Sequence, residues 1–122
     1  MRKTLAVVDD QVDARESIKD RYELKLPKLK VRTFAGGKEI LEALDSGEEF
    51  DVVLMDGKLK DGITGPYYTA EILKRSPDTP VIGYSVDKEL EENFLSHGAK
   101  VFLRKGSLFR TLDDTVRKFV GL

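Results

Sequence analysis

Asp51-Val52-Val53-Leu54-Met55-Asp56-Gly57 is the segment on which the fold turns. Four consecutive apolar residues, two of them β-branched, form a short buried strand, and an acid followed by glycine stops it. The same form recurs upstream in Leu5-Ala6-Val7-Val8, stopped by Asp9-Asp10. It recurs downstream in Pro80–Tyr84, which ends at Ser85, and in Lys100–Leu103, which ends just before Lys105. Leu29–Phe34 alternates apolar and polar residues, as an exposed edge strand does.

Between these runs the apolar period changes from two to nearly four. Ile18, Tyr22 and Leu26 mark one helical face ahead of Pro27. After the Gly36-Gly37 turn, Ile40, Leu41 and Leu44 mark a second helix, closed by Gly47. Pro66 opens a third helix, with Ala70 and Leu73 expected to face inward and Ser76-Pro77 stopping it. Asp87 is expected to cap a fourth helix carrying Leu90 and Phe94, closed by Gly98. Leu108, Leu112, Val116 and Phe119 are expected to line the fifth. Strand followed by helix, five times, predicts an α/β fold: a parallel sheet with helices on both faces, because parallel neighbours need crossover connections. No repeat, linker or low-complexity segment divides residues 1–122, so a single domain is expected.

Bulk properties narrow the function. At 122 residues the chain has the size of one domain able to bury a core without staples. It has no cysteine, which excludes disulfides and thiolate metal sites and fits a reducing cytoplasm. A net charge of −1 with both signs interspersed gives no broad basic surface, so direct nucleic-acid binding is not expected. No apolar run approaches the roughly 20 residues of a membrane span, so no membrane insertion is expected. The single histidine, His97, sits where a helix should end, which disfavours His-rich metal sites and Ser-His-Asp chemistry.

The candidate chemistry lies at the strand ends, since ligands of open α/β sheets bind beyond the carboxyl ends of the strands. Asp9, Asp10, Asp56, Ser85 and Lys105 all fall there. Taken singly, each has a plainer reading: a helix cap, a turn acid, a loop hydroxyl, a solvated lysine. Taken together they put three carboxylates, a hydroxyl and an ammonium at one rim. Three neighbouring carboxylates repel one another, and a hard cation such as Mg²⁺ relieves that repulsion. A carboxylate can also accept a phosphoryl group as an acyl phosphate.

With Val7-Val8-Asp9-Asp10, Val52-Val53-Leu54-Met55-Asp56, the Ser85 position and Leu103-Arg104-Lys105 in this order, the chain resembles the receiver domains of two-component response regulators, including the chemotaxis type, over essentially its whole length. The resemblance implies a (βα)5 doubly wound, flavodoxin-like fold with five parallel strands in the order 2-1-3-4-5. It implies Asp56 as phosphoacceptor, and Mg²⁺ held by Asp10, by Asp56, by the main-chain oxygen of Lys58 and by Asp9 through water. Lys105 would form the ion pair, Ser85 would draw its loop toward the phosphoryl group, and Phe102 would be the aromatic switch. A histidine kinase or histidine phosphotransfer protein would be the donor. An unknown output partner or domain would read the face made by the fourth helix, fifth strand and fifth helix. Such a domain is consumed stoichiometrically and is not expected to be an enzyme.

The chain also departs from the receiver pattern. Gly106 stands where proline usually follows the lysine, Val86 where alanine usually follows the hydroxyl residue, and the loop after Asp56 lacks its usual proline. Lys58 and Asp87, two residues past Asp56 and Ser85, are expected with Val86 to limit access of water and so tune the loss of phosphate. Two alternatives stay open. One is a pseudo-receiver that binds proteins without phosphorylation. The other is a small hydrolase or flavin protein of similar topology, the flavin form being disfavoured because no phosphate-cradling loop follows the first strand.

Overall fold

The computed structural model describes residues 2–122. Its elements are β1 (Lys3–Val8), α1 (Val12–Lys25), β2 (Leu29–Phe34), α2 (Gly37–Asp45), β3 (Val52–Asp56), α3 (Gly65–Arg75), β4 (Val81–Ser85), α4 (Glu91–Ser96), β5 (Val101–Arg104) and α5 (Phe109–Val120). A single 3-10 turn, Lys88–Leu90, leads into α4. The five strands form one sheet in the order β2-β1-β3-β4-β5, with every pairing parallel. This is the flavodoxin-like order expected from the resemblance.

Side-chain alternation along the strands splits the core into two layers. Ala6, Val8, Val53, Met55 and Val81 face α2, α3 and α4, where they meet Ile40, Ile72 and Phe94. Leu5, Val7, Val52, Leu54 and Ile82 face α1 and α5, where they meet Ile18, Tyr22, Leu112 and Val116. β1, β3 and β4 read as continuous apolar runs because both of their faces are covered. β2 sits at an edge and alternates, with Leu29 and Val31 buried and Lys30 exposed.

Three expectations are corrected. The buried residues of α3 are Gly65, Pro66, Tyr68, Thr69 and Ile72; Leu73 packs half-buried against that core layer as expected, but Ala70 is half-buried and does not join it. The helix begins at Gly65, one residue ahead of Pro66, and Tyr68 buries its ring while its hydroxyl donates to Asp61 Oδ2 at 2.6 Å. Leu108 does not line α5: it precedes the helix and is 77% exposed. Asp87 precedes the 3-10 turn but its side chain makes no capping bond; the carboxylate pairs with Lys58 instead.

α1 and α5 are joined through one buried acid that periodicity did not disclose. Asp113 accepts both prongs of the Arg21 guanidinium at 2.9 and 2.7 Å, the Tyr22 hydroxyl at 2.9 Å and the Lys25 ammonium at 3.3 Å. The Arg21 hydrogen bonds are the main reason its pKa falls to about 2; burial opposes them, and Tyr22 and Lys25 assist. A carboxyl depressed in the folded state contributes stability that is complete above its unfolded value near 4 and is lost as pH falls through about 2. Asp113→Ala is therefore expected to cost about 2 kcal/mol at neutral pH and under about 0.5 kcal/mol at pH 2. Urea titrations at the two pH values check this; an equal loss at both would show the ion cluster is not the source.

Candidate functional site

The strand ends converge as alternation dictates. Asp9 continues the side of β1 that carries Leu5 and Val7, and Asp56 the side of β3 that carries Val52 and Leu54. β1 and β3 are adjacent, so the two acids meet. Lys105, two residues past Leu103 on β5, reaches back across β4 to both of them. Its ammonium donates to Asp9 Oδ2 at 2.9 Å and to Asp56 Oδ1 at 3.0 Å. Its own main-chain N–H donates to the Ser85 carbonyl at 2.9 Å, which ties the β5–α5 loop to the end of β4.

Asp9 and Asp56 are buried and Asp10 is half-buried. One carboxylate oxygen from each of the three lies within 4.8 Å of the others. Asp9 is fixed further by the Gln11 N–H, which donates to its Oδ1 at 2.9 Å. Asp56 Oδ1 accepts from the Gly57 N–H at 2.9 Å as well as from Lys105. Among the described residues, Asp56 Oδ2 and the Asp10 carboxylate accept no hydrogen bond.

Burial dominates the electrostatics of Asp56 and raises its pKa above the ordinary carboxyl value; Lys105 pulls it down, and Asp9 pushes it up again. Burial likewise opposes the charge on Lys105, yet its pKa lies above the usual lysine value because two carboxylates hold it. One ammonium against three carboxylates leaves negative charge uncompensated. All-oxygen donors at this spacing suit a hard divalent cation such as Mg²⁺.

Ser85 is buried, and its Oγ accepts the Asp87 N–H at 3.1 Å, leaving the hydroxyl proton free to donate elsewhere. Lys58 Nζ lies 3.0 Å from Asp87 Oδ2, an ion pair between the β3–α3 and β4–α4 loops. Val86, between Ser85 and Asp87, is 64% exposed. The Phe102 ring is half-buried, with its centroid 5.7 Å from that of Phe94. Gly106 has φ +92°, a conformation that proline, fixed near −65°, cannot take, so the turn after Lys105 differs from a Lys-Pro turn. His97 is exposed, and its Nδ1 lies 2.7 Å from the Asn93 carbonyl one turn back on α4.

The structure thus brings together Asp9, Asp10, Asp56 and Lys105, sets Ser85 beside them, and puts Lys58, Val86 and Asp87 on the flanking loops. Sequence reading passed over Tyr84, whose ring centroid lies 5.5 Å from the Lys105 ammonium. Its place one residue before Ser85, on the opposite side of β4, was the available signal.

The profile of the response regulator receiver domain matches residues 5–117. The chain belongs to that family and is a receiver domain of two-component signalling. No curated protein sequence matches it. Among solved structures it is similar to the BeF3-activated receiver domain of DrrB, a Thermotoga maritima protein, with 26% identity, TM-score 0.84 and both chains covered in full. It is similar to TrrA from Thermotoga maritima, solved in complex with Mg(2+)-BeF, with 27% identity and TM-score 0.85 over 96% of this chain and 98% of that one. A CheY-like receiver domain protein from Methanospirillum hungatei JF-1 shares the fold at TM-score 0.89 and 24% identity, over 99% of this chain and 95% of that one. No helix among the described residues is long and apolar enough to cross a membrane.

Proposed function

We propose that this receiver domain accepts a phosphoryl group on Asp56 from a phosphohistidine of a histidine kinase or histidine phosphotransfer protein, in the cytoplasm. The observation that carries the reading is the state of the Asp56 carboxylate. It is buried at the carboxyl rim beside Asp9 and Lys105, with one oxygen held and the other open. Asp56 Oδ2 attacks phosphorus, the P–N bond of the donor breaks, and its electron pair returns to the imidazole, which leaves after taking a proton from solvent.

Asp9, Asp10, Asp56 and the main-chain oxygen of Lys58 would hold Mg²⁺, a reading supported by the acid cluster and by the Mg(2+)-BeF complex of TrrA. When bound, the ion offsets negative charge on the carboxylates and the phosphoryl oxygens. Lys105 exchanges its hydrogen bond to Asp56 for one to a phosphoryl oxygen. Ser85 donates its free hydroxyl proton to another, drawing the β4–α4 loop inward. Phe102 then changes rotamer beside Phe94, and the face of α4, β5 and α5 is altered for an output partner or domain. The domain is consumed one phosphoryl group at a time, so it acts as a switch and not as an enzyme.

Incubation with acetyl phosphate, with and without Mg²⁺, followed by intact mass, tests this reading. The expected result is a gain of one phosphoryl group only with the metal. A chain that gains none under either condition would instead be a protein-binding pseudo-receiver.

We propose that the Lys58–Asp87 pair and Val86, on the loops that follow Asp56 and Ser85, slow attack of water on the acyl phosphate. An exposed pair of this kind is worth little, so the effect is modest: Lys58→Ala and Val86→Ala should each shorten the phosphoryl half-life about two- to fivefold. Half-lives measured after removal of the donor decide it; values equal to wild type end the idea.

A further inference from the structure

We infer that Tyr84 is a positioning residue that holds the Lys105 ammonium in the site through the face of its ring, an inference that rests on the phosphoacceptor reading above. The placement follows from strand register. Asp56 on β3 pairs with Tyr84 on β4, and Tyr84 pairs with Leu103 on β5. Laterally paired residues of a parallel sheet project to the same side. Asp56, Tyr84 and Leu103 therefore stand in a row on the α1–α5 side, and Lys105, two residues past Leu103, folds back over that row. Ser85 projects to the other side, so it cannot serve the lysine in this way.

An ammonium has three N–H donors. In Lys105 two are engaged, by Asp9 Oδ2 at 2.9 Å and by Asp56 Oδ1 at 3.0 Å. The Tyr84 ring centroid lies 5.5 Å from the nitrogen, within the roughly 6 Å over which an aromatic face attracts a cation. Tyr84 is itself only half-exposed, packed at the margin of the layer formed with α1 and α5. Its hydroxyl makes no hydrogen bond to the described residues, so the ring is the part of the side chain that engages the lysine.

The chemical use is continuity. When Asp56 accepts the phosphoryl group, Lys105 must let go of Oδ1 and take up a phosphoryl oxygen. During that exchange Asp9 supplies one fixed contact and the ring supplies a second, non-directional one. A ring face tolerates the small displacement that a third hydrogen bond would resist. Without the ring, Lys105 would be held during the exchange by Asp9 alone, on a flexible stem.

The test uses Tyr84→Phe and Tyr84→Leu, each alone and in a Lys105→Met background, with uptake from acetyl phosphate and Mg²⁺ as the rate. Tyr84→Leu is expected to slow uptake about three- to tenfold, the scale of a partly desolvated cation–aromatic contact. Tyr84→Phe, which keeps the ring, restores the wild-type rate. In the Lys105→Met background Tyr84→Leu has no further effect. A rate for Tyr84→Leu equal to wild type overturns the inference. So does an equal slowing in both backgrounds, because the ring would then act on the fold and not on the lysine. A second readout does not depend on phosphorylation. The Lys105 side-chain NMR resonances should be shifted upfield by the ring in wild type and Tyr84→Phe and released in Tyr84→Leu. If wild type takes up no phosphoryl group, the phosphoacceptor reading fails, and these resonances still decide whether Tyr84 positions Lys105.

Discussion

Asp56→Asn is expected to take up no phosphoryl group from acetyl phosphate and to fold at least as stably as the wild type. The amide has the shape of the carboxylate and keeps an oxygen for the Gly57 N–H, which donates to Oδ1 at 2.9 Å. What it lacks is the nucleophile: an amide oxygen does not form an acyl phosphate. The stability gain comes from charge. Asp56 is buried, its pKa is raised first by that burial, and Asp9 raises it further. Taking one negative charge out of a group of three relieves repulsion that Lys105 only partly cancels. Intact mass and a thermal melt check both halves. Uptake that survives in Asp56→Asn would move the acceptor elsewhere, and a lower melting temperature would mean the carboxylate is a net structural asset.

Gly65→Ala is expected to be the most damaging small substitution in the chain. A Cβ at position 65 would stand 2.1 Å from the main-chain oxygen of Asp56 and 2.6 Å from Cζ of the Phe94 ring. A main-chain oxygen has no rotamer to escape into. The Gly65 N–H also donates to the Gly57 carbonyl at 2.8 Å, so the two segments are clamped together immediately after the acceptor. Relief would require β3 and α3 to separate, at a cost of about 3 kcal/mol or more. For a domain of this size that lowers the melting temperature by roughly 10 °C. The expected loss extends to function, because the displaced backbone is that of Asp56 itself. Gly62→Ala is the matched comparison. Gly62 has φ +79° and nothing within 4 Å of its would-be Cβ, so it carries only the backbone penalty of about 1 kcal/mol. Urea unfolding of the two variants separates them, and equal losses would refute the steric account.

Much of the site was legible because each chemical residue ends an apolar run. Asp9, Asp56, Ser85 and Lys105 could be read as strand-end groups from the chain alone, and strand ends of a parallel sheet share one rim. The order 2-1-3-4-5, which decides which ends are neighbours, was not in the periodicity and came from family resemblance. Other features were hidden for physical reasons. The buried face of α3 runs through Tyr68 and Thr69, whose polar atoms mask them as core; the structure satisfies those atoms with Asp61 and with the Gly65 carbonyl. Asp113 lies 92 residues from Arg21, and no local pattern joins them. Asp87 had the spacing of a cap, but its acid found a stronger partner in Lys58 across a gap between loops. Tyr84 reads as an ordinary strand residue until register sets it beside Asp56.

The central claim is that one particular carboxylate at this rim forms a bond to phosphorus. Reduction of the freshly phosphorylated protein with borohydride, followed by peptide mass mapping, tests it most directly, because an acyl phosphate is converted to an alcohol at the residue that carried it. Homoserine at position 56 alone is the expected result. Conversion at position 9 or 10, or a phosphoryl group that resists borohydride on Ser85, would contradict it.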